Sequence, residues 1–127
     1  MIDHLSIAVS DLARSAAFYA ASLAPLELTR LVERPDRIGF GKRYPEIWLN
    51  ARPTMAPIAS DTGAHIALRA PSQEAVSAFH AAALAQGGAC DGPPGPRRAA
   101  MTTYFGAFIR DLDGNRVEAV HFPRAGA

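Results

Sequence analysis

Few residues of this 127-residue chain have chemistry to offer. One carboxylate, Glu118, stands in the stretch RDLDGNRVEAV, after an Asp-Gly turn and between Val117 and Ala119. The alternation there reads as a short strand, so Glu118 faces away from its apolar neighbours. Two histidines hold comparable places in alternating segments: His4 in DHLSIAVS and His65 in AHIALRA. Leu5, Ile7 and Val9 share one face, as do Ile66 and Leu68, which sends both imidazoles to the other. Carboxylates and imidazoles can move protons or bind divalent ions, provided that strands distant in sequence bring them together. The strand pattern assembles no Ser-His-Asp or Cys-His arrangement. GFGKR, residues 39–43, is followed by no helix and is not a phosphate loop.

Composition narrows the setting. Apolar residues make up 49% and charged residues 20%, a globular balance for one domain spanning 1–127. The net charge is +1, and apart from Arg97-Arg98 the basic residues are scattered, so no nucleic-acid footprint is expected. Arg97 and Arg98 read as a solvated rim, with contact to an anionic substrate as the alternative. The single cysteine, Cys90, excludes an internal disulfide and reads as a small half-buried apolar residue. The sequence carries no signal peptide and no run of 18 apolar residues, so a cytoplasmic protein without membrane association is expected.

Alternation over residues 3–10 reads as a strand. A helix over 10–23 follows, with Ser10 as its cap and Pro25 beyond its end. Strands are expected over 26–33, 37–41 and 46–50, then a Pro/Ala/Ser linker over 51–63. The pattern then restarts: a strand at 64–70, a helix over 71–88 closed by Gly87-Gly88, a lid-like loop DGPPGPRR, a strand at 102–110 and a last strand ending at Phe122. At a shift of 61 residues His4 aligns with His65, Phe18 with Phe79 and Leu23 with Leu84. The chain is two copies of strand-helix-strand-strand-strand, 1–50 and 64–122.

These paired βαβββ modules, DHLSIAVSDLARSAAFY at the start and AFIRDLDGNRVEAV at the end resemble the vicinal oxygen chelate superfamily. Glyoxalase I, type I extradiol dioxygenases, fosfomycin-resistance proteins and bleomycin-binding proteins belong to it. The resemblance implies an α+β fold, a cupped eight-stranded mixed sheet with helices on its convex face, and commonly a homodimer. It matches His4, His65 and Glu118 to the family's metal ligands, with Glu118 also catalytic. The implied cofactor is one divalent ion, Fe, Mn, Ni or Zn. Trp48 stands where glyoxalase I carries a further glutamate; Glu46, on the same face, is a poor substitute. The His, His, Glu order is instead that of extradiol dioxygenases and fosfomycin-resistance enzymes.

Trp48, Tyr104 and Phe108 are expected to line a small-molecule cavity, with core packing or a dimer contact as the alternative for Trp48. Parity turns His121 away from Glu118, and His80 lies on the second helix, so neither is expected in the site. Only Arg124 in the tail is placed to meet a phosphonate. The resemblance supports a metal-dependent lyase, isomerase or dioxygenase, the ion acting as a Lewis acid on vicinal oxygens. The alternative is a metal-free binding or drug-sequestering protein of the bleomycin-resistance type.

Overall fold

A computed structural model describes residues 1–123. The first module runs β1 (Leu5–Val9), α1 (Leu12–Leu23), β2 (Thr29–Arg34), β3 (Arg37–Gly41) and β4 (Ile47–Ala51). The second runs β5 (Ile66–Arg69), α2 (Gln73–Ala85), β6 (Ala89–Arg98), β7 (Thr103–Arg110) and β8 (Arg116–His121). Each forms a four-stranded mixed sheet, in the orders β1-β4-β3-β2 and β5-β8-β7-β6. The outer pairs β1/β4 and β5/β8 are parallel and the rest antiparallel, so the two sheets repeat one topology.

The duplication read from the sequence is therefore structural. Phe18 on α1 and Phe79 on α2 are both fully buried, as their matched positions require. Leu23 is buried but its counterpart Leu84 is 40% exposed, so the copies diverge at their helix ends. One apolar core serves both modules: Val9, Phe18, Phe40 and Leu49 pack in the same cluster as Val76, Phe79, Ile109 and Ala119. The helices α1 and α2 pack against each other behind the sheets.

Several boundaries differ from the expected ones. Asp11 caps α1, accepting from the Arg14 amide, whereas Ser10 donates its hydroxyl to Asp113 at 2.5 Å. A 3-10 turn over Ala24–Leu26 occupies the start of the expected strand, and left-handed Glu27 reverses the chain ahead of β2. The expected DGPPGPRR lid is instead most of β6. Prolines 93, 94 and 96 are tolerated because β6 is an edge strand paired only with β7, with irregular register around Gly92. Cys90, on this open edge, is exposed rather than half-buried.

The modules are joined by polar contacts as well as by the core. The chain between β7 and β8 folds back so that Asp111 Oδ1 accepts from the Asp113 and Asn115 amides. Asp111 Oδ2 takes the Tyr19 hydroxyl at 2.7 Å and the Asn115 side-chain amide at 2.9 Å. Asn115 also donates to the Ala8 carbonyl at 3.0 Å. Burial first, then the neighbouring Asp111 carboxyl group, push the Tyr19 hydroxyl well above the ordinary phenol range. Tyr19→Phe leaves a buried carboxyl oxygen short of a donor and is expected to cost about 1–3 kcal/mol. Urea denaturation checks this, and an unchanged midpoint and slope would show that Asp111 does not depend on the first module.

Candidate functional site

Strand parity puts the chemistry on the faces away from the helices. Val117 and Ala119 of β8 are buried in the core, so Glu118 points the other way. On β7 the residues on Glu118's face are Tyr104, Gly106, Phe108 and Arg110, and Phe108 lies directly opposite Glu118. His65 immediately precedes β5, and Ala67 two residues on is paired with Glu118. This brings the His65 Nε2 within 3.3 Å of Glu118 Oε1.

Tyr104 completes the arrangement. Its hydroxyl donates to Glu118 Oε2 at 2.6 Å. Glu118 is only 3% exposed, whereas the His65 side chain is 47% exposed. The carboxyl group thus forms a floor, fixed on one side by a phenol, with the imidazole as its contact to the opening. Burial, then the bond to Glu118 and its charge, push the Tyr104 hydroxyl up to about 12, while Arg97 acts in the opposite sense. The phenol therefore stays protonated, as a donor must. Gly106 makes room for this contact: a Cβ there would lie 2.8 Å from the Tyr104 ring and 3.1 Å from Glu118 Oε2.

Phe108 forms a wall beside this centre, its ring 5.7 Å from that of His65. His65 and Phe108 open on a cleft of ≈ 210 Å³ that Asp91 and Arg116 also line. Desolvation opposes ionisation of Asp91, but hydrogen bonds from Arg116 and Arg110 outweigh it and hold the carboxyl below its usual range. The first module supplies a matching half. Trp48 lies opposite Ser6, two residues after His4, as Glu118 lies opposite Ala67, two residues after His65. Trp48 is half-buried on the face away from the core, with the Arg37 guanidinium 5.6 Å from its ring.

The expected residues do not all meet. His65, Glu118, Tyr104 and Phe108 gather on the second sheet. His4 lies ahead of β1 with its Nδ1 on Asp3 Oδ1 at 2.7 Å, and it lines a different cleft of ≈ 340 Å³. Among the described residues, no three His, Cys, Asp or Glu side chains cluster closely enough to hold an ion. Glu46 turns back to accept from the Lys42 amide at 3.1 Å. His121 contacts the Ala70 carbonyl, and the buried His80 Nε2 has no partner within the described residues. Arg124 lies outside them.

The family model described as the Glyoxalase/Bleomycin resistance protein/Dioxygenase superfamily matches residues 1–119. The chain belongs to this superfamily. A glyoxalase/bleomycin resistance protein from Albidiferax ferrireducens is 33% identical, with 94% of this chain and 98% of that one covered and a TM-score of 0.82. The fold is shared more distantly by a glyoxalase-related enzyme from Fulvimarina pelagi, at 16% identity, coverage of 99% and 93%, and a TM-score of 0.71. A glyoxalase/bleomycin resistance protein/dioxygenase family enzyme from Burkholderia phytofirmans is similar at 16% identity, 94% and 97% coverage, and a TM-score of 0.70. No curated protein matches the chain. The chain has two βαβββ modules, and no helix among its described residues is long and apolar enough to cross a membrane.

Sequence reasoning placed Tyr104 as a cavity wall but missed its bond to Glu118. The signal was the hairpin: with Arg110 opposite Arg116, Tyr104 falls on Glu118's face beyond a glycine. Tyr104→Phe is expected to cost about 1–3 kcal/mol by leaving the buried Glu118 without its donor. Most of that loss should vanish when Glu118 is already alanine, giving a coupling of about 0.5–3 kcal/mol in a double-mutant cycle. Additive losses in urea denaturation would show that the two groups do not depend on one another.

Proposed function

We propose that this glyoxalase/bleomycin-resistance protein is a metal-dependent lyase, isomerase or dioxygenase acting on a small molecule. In this reading His65 and Glu118 hold one divalent ion, with His4 of the partner subunit in a homodimer as the third ligand. One observation carries it: His65 Nε2 and Glu118 Oε1 stand 3.3 Å apart. Two donors that each bind one ion at about 2.0–2.2 Å in tetrahedral geometry are separated by roughly 3.3–3.6 Å. The donor set fits, and His4 and Trp48 hold the equivalent register positions in the other module. An imidazole pair and one carboxylate suit Fe(II), Mn(II) or Zn(II) with positions left for substrate; nickel completes the set.

When bound, the ion supplies Lewis acidity toward substrate oxygens. The chain's own residues do the rest. Tyr104 holds Glu118 in one orientation, the usual partner of a ligating carboxylate. Glu118 is the catalytic group nearest the opening through His65, and Phe108 excludes water from one side. Trp48 offers a flat apolar face from the other half-site. The exposed, unpaired Cys90 suits a reducing, cytoplasmic setting.

A second reading has its own support. Both Glu118 oxygens already have partners, and His4 is paired with Asp3, so the cup is chemically satisfied as a metal-free binding site. Metal content separates the two. Protein purified without chelators should carry one ion per chain, and His65→Ala should abolish it. None across Fe, Mn, Ni and Zn, or full occupancy in His65→Ala, would overturn the metal-dependent reading. Mixing His4→Ala with His65→Ala chains tests the sharing of ligands: each mixed dimer should regain one intact site. No recovery would place all three ligands in one chain.

A further inference from the structure

Arg97 is a cation beside this centre that pairs with no carboxylate among the described residues. It lies on β6 opposite Tyr104, with its guanidinium 5.9 Å from the Phe108 ring centre. Arg110 and Arg116, on the same side, both bond Asp91, and Arg116 also faces Asp61. Arg97 bonds only the Pro93 and Pro96 carbonyls among the described residues. Those carbonyls aim the fork without cancelling its charge. The stretch around it is shaped to hold a guanidinium. A Cβ at Gly92 would lie 3.3 Å from one Arg97 terminal nitrogen, and a Cβ at Gly95 would lie 3.4 Å from the other. Pro93, Pro94 and Pro96 have no N–H groups, so this rim offers an anion little besides Arg97.

We propose that Arg97 binds an oxyanion of the ligand, a carboxylate or phosphonate, and so restricts this site to anionic small molecules with a flat or apolar part against Phe108. The inference rests on the reading of the His65–Glu118 centre as the ligand site. A planar guanidinium meets carboxylates and phosphonates through two parallel N–H bonds, which a lysine does not reproduce. The ligand oxyanion would take over donors now spent on backbone carbonyls, while its remaining atoms lie between Phe108 and His65.

Phenylphosphonate, benzoate and neutral benzyl alcohol are suitable probes, titrated calorimetrically into the full chain with EDTA present and again with added manganese. The wild type should bind both anions in each condition and the alcohol at least tenfold more weakly. Arg97→Gln should lose about tenfold or more for the anions and nothing for the alcohol; Arg97→Lys should recover only part. Arg98→Gln, altering the exposed neighbour on the opposite parity of β6, should bind as the wild type does. Circular dichroism and the urea midpoint of Arg97→Gln, measured separately, report that the chain is folded. Anion binding equal in wild type and Arg97→Gln, an equal loss in Arg98→Gln, or no anion binding by the wild type would overturn the proposal. Anion binding that depends on Arg97 in a protein that takes up no metal would refute the metal-dependent reading and leave this one standing.

Discussion

Asp111 is the constraint on which the rest of the structure depends. It is 6% exposed, and its two oxygens gather a phenol from the first module and three N–H donors from the turn that carries it. A buried carboxyl group is costly unless its oxygens are partnered, so the hydrogen bonds on Asp111 favour one arrangement of the turn and one docking of the modules. The same turn sets where β8 begins. Arg116 then pairs with Arg110, Val117 and Ala119 enter the core, and Glu118 is left on the open face. A slip of one residue would turn Glu118 into the apolar core and take Val117 and Ala119 out of it.

Glu118 repeats the same physics on the functional side. It is more buried than Asp111, but only one of its oxygens is held by a strong donor, the Tyr104 hydroxyl. The other faces a half-exposed imidazole across 3.3 Å. One buried carboxyl group is surrounded by donors of the fold and structural; the other has a phenol behind it and a half-exposed imidazole in front. That difference is why the proposed site centres on Glu118 rather than on the more heavily bonded Asp111.

The alternation of four strands made the faces of His4, His65, Glu118 and Trp48 legible, because each has apolar neighbours that need the core. The repeat was legible for the same reason: Phe18 and Phe79 fill equivalent places under equivalent sheets. What sequence reasoning missed depends on groups that have no period. The prolines of 93–96 concealed an edge strand, because only an edge tolerates so many missing donors. Ser10 and Asp11 are both good caps by type, and Asp113, a hundred residues away, decides between them. The distance between His4 and Glu118 is set by how the modules dock, which local pattern does not encode.

In the proposed site, His65 and Glu118 are one half of a metal centre completed by a second copy of the chain. Anomalous diffraction from crystals grown with manganese tests it most directly. One peak per chain is expected within about 2.0–2.2 Å of His65 Nε2 and Glu118 Oε1, with the partner's His4 as the third ligand and Tyr104 still bonded to Glu118. A map with no peak there, or with the ion bound elsewhere and the 3.3 Å His65–Glu118 contact closed, would contradict it.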